Sequence, residues 1–187
     1  MDNKEKDVME HKISLKTKRL IIRNFRKTDY KDLFEYLSDP LTYIYEPGQP
    51  ITLEKSIELC IERNKSSIFI AIELINEKKL IGHIYFNRTE PKEYNIFEIG
   101  YIFNKKFQGH GYATEAAEKV MEYGFIKYNA HKIIAGCDIK NKKSWKLLER
   151  LGMKREGKLR QNAYFRKNDR KEPIWHDAYI YGILNNE

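Results

Sequence analysis

Two glycines between an apolar, strand-like run and a strongly amphipathic helical repeat constrain the fold of this chain more than any other feature. They are Gly109 and Gly111 in the segment FQGHGYATEA, residues 107–116. Glycine permits a tight turn and lets a ligand approach the backbone closely. The first N–H groups of a helix lack partners within it, and the helix dipole adds partial positive charge there, so an anion is favoured. The pattern predicts a strand, a turn suited to a diphosphate, and a helix.

The spacing of this turn differs from that of the familiar nucleotide-binding loops. No Lys-Ser or Lys-Thr pair follows the second glycine, as a nucleoside-triphosphate loop requires, and the third glycine of the dinucleotide fingerprint is missing. Two glycines alone are also compatible with an ordinary turn that only begins a helix. The flanking sequence has to distinguish these alternatives.

Alternating and apolar runs predict the strands, and apolar residues at three- and four-residue steps predict the helices. Strands are expected over residues 20–25, 68–74, 80–86, 94–103, 131–137, 154–164 and 175–183. The best-defined helix follows Gly111, because small and apolar residues form one stripe: Ala113, Ala116, Ala117, Val120, Met121, Gly124, Phe125 and Tyr128. Other helices are expected from an N-cap at Thr28 to Leu37, from Thr52 with Ile57, Cys60 and Ile61 on one face, and over 142–151.

Three further segments decide how the glycine turn is interpreted: EIGYIF at 98–103, NKKS at 141–144 and LERLGM at 148–153. Together with GHGYATEA they resemble the GNAT N-acetyltransferase family, most of all its ribosomal-protein-alanine acetyltransferase branch, RimJ and RimL. The opening TKRLIIR at 17–23 is similar to the first strand of that branch, and the resemblance extends to about Leu184. Gln108, Gly111 and Ala113 match the marked positions of the family's acyl-CoA diphosphate signature, Gln/Arg-x-x-Gly-x-Gly/Ala.

The resemblance implies an α/β (α+β) fold with a mixed, mostly antiparallel central sheet, helices on both faces and a splayed pair of middle strands. It implies acetyl-CoA as cosubstrate, with the diphosphate on Gln108, Gly109, His110, Gly111, Tyr112, Ala113 and Thr114. It further implies that the backbone of Tyr101, Ile102 and Phe103 pairs with the pantetheine arm and polarises the thioester carbonyl. Asn141 would contact the same arm.

Acetyl transfer to an amine requires that the amine lose a proton, that the carbonyl be polarised and that the thiolate leave. Glu98 is the candidate base, since burial within an apolar strand favours a carboxylate of raised basicity; an edge or salt-bridged glutamate is the alternative. The resemblance places Ser144 near the sulfur, to orient it or to relay a proton through water; departure of the thiolate without help is the alternative. This chain has Leu148 where many relatives carry a tyrosine acid, and Gly136 where some carry an acidic residue.

Four further side chains could line an acceptor pocket: His83, Tyr85, Trp175 and His176. Histidines and aromatic residues on strands more often serve packing, because they suit half-buried pleated surfaces. Packing is therefore the expected role of these four.

The bulk composition agrees with one domain over residues 1–187, with a flexible polar tail over about 1–12. The tail lacks an apolar signal region and no run is long enough to span a membrane, so a cytoplasmic protein is expected. Cys60 and Cys137 are expected as buried apolar residues, and neither a disulfide nor a metal site is expected. The net charge of +8 could attract nucleic acid, but no recognition motif accompanies it. We therefore expect most of the charge to lie on the solvated surface and to attract an anionic cosubstrate.

The sequence thus predicts an acetyl-CoA-dependent N-acetyltransferase that acts by direct attack of a primary amine. A protein N-terminus is the expected acceptor, with residues 43–48 and 160–171 as groove walls. An acetyltransferase for a small amine, such as an antibiotic or amino sugar, and a non-catalytic acyl-CoA-binding module are the alternatives. The sequence is compatible with a monomer or a homodimer.

Overall fold

The computed structural model describes residues 12–187, and within them eight strands form one sheet. The strands are β1 Ser14–Lys16, β2 Leu20–Asn24, β3 Phe69–Leu74, β4 Lys79–Arg88, β5 Ile96–Phe103, β6 Lys132–Asp138, β7 Lys154–Lys167 and β8 Pro173–Leu184. Their order is β1-β2-β3-β4-β5-β6-β8-β7. The β5–β6 pair is parallel and the other neighbours are antiparallel. The predicted mixed, mostly antiparallel sheet is confirmed.

Helices cover both faces of the sheet, as predicted. They are α1 Tyr30–Leu37, α2 Leu53–Arg63, α3 Tyr112–Tyr128 and α4 Lys142–Arg150. One apolar core lies between the sheet and α3 with α4, and a second, smaller core lies beneath α1 and α2. Among residues 12–187, no helix combines the length and the apolar character needed to cross a membrane.

The small residues of α3 allow the helix to lie directly on the sheet. Ala116, Ala117 and Val120 are fully buried. A Cβ on Gly124 would stand 2.5 Å from Phe86 Cζ, so only glycine fits there. The predicted stripe is therefore the buried face of α3, and it fixes the position of the preceding turn.

The middle of the sheet splits between β5 and β6. Pairing between them covers Ile96–Glu98 against Lys132–Ile134. Beyond that point β5 continues as far as Phe103 and β6 as far as Asp138, without a register between them in the described structure. The predicted splay of two middle strands is confirmed, and it opens a slot beside the glycine turn.

Several predicted boundaries were wrong. Thr28 lies within a 3₁₀ turn, and Asp29 is the N-cap of α1. The strand expected from Tyr94 begins at Ile96, because the chain first makes a 3₁₀ turn that ends at Asn95 with a positive φ. Along α2, Cys60 is buried, but Ile57 and Ile61 are 37% and 38% exposed, so the predicted apolar face is only partly covered. The predicted tail over residues 1–12 lies almost entirely outside the described residues.

The last two strands also differ from the sequence prediction. β7 extends to Lys167, and β8 begins at Pro173. The two strands therefore form a long ribbon with a short turn. The polar connection predicted between residues 164 and 175 is thus reduced to residues 168–172.

Candidate functional site

The turn before α3 has the backbone that its two glycines predict. Gly109 and Gly111 have φ values of +86° and +81°, a region that residues with a Cβ rarely adopt. Gly111 is the N-cap of the 17-residue helix α3. A Cβ on Gly109 would meet nothing within 4 Å, so the backbone there is open. An exposed backbone beside a helix N-terminus suits a diphosphate.

Arg19, which precedes β2, holds this turn in place. Its Nη1 donates to the carbonyl oxygen of His110 at 2.9 Å, and its Nε donates to Glu115 Oε2 at 2.7 Å. Its guanidinium also lies over the ring of Tyr112, 4.5 Å from the centroid. Glu115 accepts a further hydrogen bond from the hydroxyl of Thr17 at 2.6 Å. Sequence reasoning missed Arg19 because these partners are more than ninety positions away.

Other predicted residues of the turn connect it to the slot. Gln108 Nε2 donates to the carbonyl oxygen of Phe103 at 3.1 Å, which ties the turn to the end of β5. The rings of His110 and Tyr112 stack with centroids 5.7 Å apart. Ala113 and Thr114 lie half-buried in the first turn of α3. The predicted diphosphate residues thus form one continuous segment, and their contact with a ligand stays a prediction.

The backbone of β5 borders the slot. Tyr101, Ile102 and Phe103 pair on one side with β4. Their other side faces the part of β6 with which β5 has no register. An edge of this kind can form main-chain hydrogen bonds with an extended ligand.

The side of the slot nearest α4 carries two hydroxyl groups. Tyr101 Oη lies 3.0 Å from Ser144 Oγ. Burial raises the pKa of Tyr101, so its phenol remains protonated. Leu148, one turn further along α4, is only 1% exposed and belongs to the core. A tyrosine hydroxyl therefore reaches α4 from β5, although none stands at the position where many relatives have one.

Asn141 is the N-cap of α4. Its Oδ1 accepts from the backbone N–H of Ser144 at 3.2 Å, which is the ordinary capping role. The cap leaves the amide NH₂ group available, and its contact with a pantetheine arm stays a prediction.

The opposite side of the slot is open to solvent in the middle of the sheet. Glu98, at the point where β5 and β6 separate, is exposed, and so is Gly136 on β6. The expectation that Glu98 is buried was wrong, because α1 and α2 cover β3 and β4 and leave this part of the sheet bare. The role of Glu98 as a base stays a prediction. We call the surface of Glu98, Gly100, Gly136, Asp138 and His176 the open face.

Glu46, in the segment between α1 and α2, was missed by sequence reasoning. Its side chain is half-buried, and burial raises its pKa to about 7. Its charge acts on both Tyr101 and Cys137, which places it near the slot. No short motif surrounds it in the sequence, so no local signal revealed it.

Replacing Glu46 with glutamine is expected to stabilise the protein at alkaline pH. The folded state raises this pKa from 4.5 to about 7, so it binds the proton more tightly than the unfolded chain does. The stability that this raised pKa contributes is fully present below the pKa of the unfolded state. It is lost as the pH rises through the pKa of the folded state. Glu46→Gln should therefore match the wild type near pH 4.5 and exceed it near pH 8 by at most about 3 kcal/mol.

Urea unfolding at both pH values measures this difference in the free energy of unfolding. Glu54→Gln is the matched control, because Glu54 is exposed and its own backbone N–H holds its pKa below the ordinary value. An equal effect of Glu46→Gln at both pH values would contradict the prediction.

The four side chains considered for an acceptor pocket have different surroundings. His83 is buried, 2.7 Å from Tyr36 Oη, and burial keeps its pKa well below the ordinary value, so it serves packing as expected. Tyr85 packs on Phe69. Trp175 is 48% exposed and contacts Tyr164, edge to face. His176, in contrast, contacts the carboxylate of Asp138 through Nδ1.

One of the two predicted groove walls, over residues 160–171, contacts the segment that follows α1. Arg166 Nη2 on β7 donates to the carbonyl oxygen of Pro40 at 3.3 Å, which joins the ribbon to the segment after α1. Tyr43 was wrongly predicted to line a groove, since it is 6% exposed and donates to the carbonyl oxygen of Leu37. Ile44 is 39% exposed and remains available.

Cys60 and Cys137 are both free and buried, as predicted. Within residues 12–187, no three His, Cys, Asp or Glu side chains are grouped in a way that could hold a metal ion.

Comparisons with known proteins agree with this geometry. A family model described as "Acetyltransferase (GNAT) domain" matches residues 19–154. The chain is 38% identical to an uncharacterized N-acetyltransferase, YnaD, of Bacillus subtilis, over 91% of this chain and 96% of the relative. A crystal structure of a GNAT-family acetyltransferase from Bacillus anthracis has 35% identity and a TM-score of 0.81, and the match covers 94% of this chain and 100% of that one.

A relative whose acceptor is known has a lower sequence identity to this chain. The [ribosomal protein uS5]-alanine N-acetyltransferase of Escherichia coli is 27% identical over 78% of this chain and 80% of its own length. The fold, the slot and these matches define an acetyltransferase. The chain belongs to the GNAT family, and it is an N-acetyltransferase.

Proposed function

We propose that this enzyme transfers the acetyl group of acetyl-CoA directly to a primary amine, and that this amine is the N-terminus of a protein. The observation that carries the proposal is the slot between β5 and β6, which is reached from two sides. The glycine turn lies at one side, and the open face lies at the other. Two substrates could therefore meet at the slot without a covalent enzyme intermediate.

The residues present suit coenzyme A. Gly109 and Gly111 with the N-terminus of α3 suit its diphosphate. The free edge of Tyr101, Ile102 and Phe103 suits the amides of a pantetheine arm. A net charge of +8 favours the approach of an anionic cosubstrate. Bound acetyl-CoA supplies the activated acyl carbon.

Each residue then has one task in the transfer. A main-chain N–H of the β5 edge polarises the thioester carbonyl, because a donor aimed at the developing oxyanion stabilises the transition state. The Tyr101–Ser144 pair lies on the α4 side and holds a proton near the departing sulfur. On the open face, a base removes the proton of the amine.

A peptide acceptor fits the surface above the open face. The exposed side chain of Ile44 offers an apolar contact, and so does the ring of Phe165, which lies against His176. The long ribbon offers strand edges that can pair with an extended peptide. A polyamine is disfavoured, because a protein of charge +8 repels a polycation. The uS5-alanine acetyltransferase relative, at 27% identity, agrees with a peptide acceptor.

The test is a side-by-side measurement of kcat/KM with acetyl-CoA. Peptides that begin with Ala, Ser or Met are compared with spermidine and an aminoglycoside. We expect a peptide to have the highest kcat/KM. A small amine that exceeds every peptide by about tenfold, or about 1.4 kcal/mol of transition-state binding, would reject the peptide acceptor and keep the acetyltransferase. Binding of acetyl-CoA without turnover of any amine would favour the non-catalytic alternative.

Removing either hydroxyl of the Tyr101–Ser144 pair is expected to lower kcat by about tenfold or less. A thiolate is already an adequate leaving group, because the pKa of its conjugate thiol is about 8.5 on the cysteine scale. Tyr101→Phe and Ser144→Ala remove one hydroxyl each. The double variant should lose little more than either single variant, since both groups serve one proton. Steady-state kinetics with saturating acetyl-CoA measures this. Additive losses, or a complete loss with Ser144→Ala, would contradict the pairing.

A further inference from the structure

The open face contains an imidazole held by a buried carboxylate, and this pair is not explained by packing alone. Taking the proposed acetyl transfer as given, we infer that His176 is the base that removes the proton of the acceptor amine, and that Asp138 positions it. His176 is thus the catalytic residue, and Asp138 acts through it. The sequence had favoured a packing role for His176 and had placed the base at Glu98.

The contact between the two side chains is direct. The Asp138 side chain is 3% exposed and its Oδ2 contacts His176 Nδ1. Asp138 Oδ1 accepts the backbone N–H of Lys140 at 2.7 Å. These two contacts hold the carboxylate in place beside the ring. The ring of His176 also rests against Phe165, with centroids 5.2 Å apart, so its orientation is fixed on two sides.

The sheet register places this pair on the open face. Cys137 belongs to the core beneath α3 and α4, so its neighbour Asp138 points to the other face. Asp138 pairs with Ala178 on β8, and His176 is two positions from Ala178. Both side chains therefore share the face of Gly136, which is exposed and has no side chain. Gly136 therefore leaves room between the slot and His176, bordered by Ile180, whose Cδ1 would lie 3.6 Å from a Cβ on Gly136.

The pair suits a base. A carboxylate at Nδ1 favours the tautomer of His176 that carries its proton there, so the lone pair of Nε2 is available for an incoming proton. An imidazole is in general a stronger base in water than a carboxylate. Asp138 from β6 is the ionisable group in contact with His176. Other ionisable groups near the slot include Glu98 on β5, Glu46 before α2, and the side chains of Tyr101 and Cys137.

The transfer balances with this assignment. The acceptor enters as an ammonium group, and Nε2 of His176 takes one of its protons. The free amine nitrogen then forms a bond to the acyl carbon, and the carbon–sulfur bond breaks to leave a thiolate. The nitrogen loses its second proton as the amide forms, and that proton replaces the one that the Tyr101–Ser144 pair gives to the thiolate. His176 finally returns its proton to water.

Kinetics of substituted enzymes tests the assignment. His176→Gln keeps a donor for Asp138 but lacks a base, so we expect kcat to fall by about a hundredfold with the KM for acetyl-CoA unchanged. Glu98→Gln should lower kcat by less than about threefold. The control His131→Gln, at the exposed opposite end of β6, should have no effect. A large loss in Glu98→Gln together with an active His176→Gln would overturn the inference and return the role to Glu98.

Two further measurements separate a base from a structural residue. Added imidazole should restore part of the kcat of His176→Ala, which a packing role would not permit. Long-range ¹H–¹⁵N NMR of the whole protein should find neutral His176 protonated on Nδ1, and Asp138→Asn should reduce that tautomer. A ring protonated on Nε2, or one that keeps both protons to about pH 9, would overturn the inference even if no acceptor amine is found. Lack of turnover by the wild type would instead reject the proposed function.

Discussion

Replacing Arg23 with methionine is expected to lower the free energy of unfolding by about 3 to 5 kcal/mol, because it leaves the buried Asp29 without its cation and Glu73 with only the exposed Arg26. Arg23 lies in β2, and its side chain is only 8% exposed. Its Nη1 and Nη2 donate to the two oxygens of Asp29 at 2.8 and 2.9 Å. Its Nε donates to Glu73 Oε2 at 2.8 Å. One guanidinium therefore connects β2, the start of α1 and β3.

Arg26→Met is the matched control for this prediction. Arg26 Nη1 also contacts Glu73 at 2.8 Å, but its side chain is 56% exposed, so its loss should cost no more than about 1 kcal/mol. Chemical unfolding of both variants gives the comparison. A triple variant, Arg23→Met with Asp29→Asn and Glu73→Gln, should regain part of the loss because no buried charge remains. Equal costs for Arg23→Met and Arg26→Met would contradict the argument.

The Arg23 cluster illustrates which parts of the fold could be predicted from the sequence. The strand containing Arg23 and the helix α3 follow from local periodicity, which is visible within a short window. The pairing of Arg23 with Glu73 joins residues 50 positions apart, and no local pattern records it. The same reason hides Arg19, whose contact with His110 spans 91 positions. The predicted N-cap at Thr28 was wrong because Thr28 and Asp29 are both residue types that suit an N-cap. In the structure Thr28 lies in a 3₁₀ turn, and Asp29 is the N-cap of α1.

The residues of the candidate site also divide into those that local sequence features predict and those that they do not. The glycine turn could be predicted, since glycine at a positive φ and the start of a helix are both local features. The base could not, because burial depends on which part of the sheet the helices leave bare. Glu98 lies in an apolar strand and is nevertheless exposed. Asp138 and His176 come from β6 and β8, 38 positions apart, and only the sheet register brings them together.

We expect acetyl-CoA to raise the melting temperature of the wild type, and we expect the replacement of Gly111 with valine to abolish that rise. Any ligand that binds only the folded state stabilises it, by about 2.7 kcal/mol at a hundred times Kd. Gly111 has a φ of +81°, which a β-branched residue rarely adopts. It is also the N-cap of α3, where a diphosphate would approach the backbone. The added side chain would strain the turn and occupy the space that a diphosphate needs, although its Cβ would make only an ordinary contact with Arg19 Nη2 at 3.5 Å.

Gly152→Val separates the strain from the loss of the ligand site. Gly152 follows α4 with a φ of +80°, and a Cβ there would make only an ordinary contact with Ile183. Both variants should therefore melt at lower temperature, but only Gly111→Val should lose the response to acetyl-CoA. Thermal shift and calorimetric titration at millimolar acetyl-CoA measure this response. A full response in Gly111→Val would place the diphosphate elsewhere, and no response in the wild type would reject acetyl-CoA as the ligand of this turn.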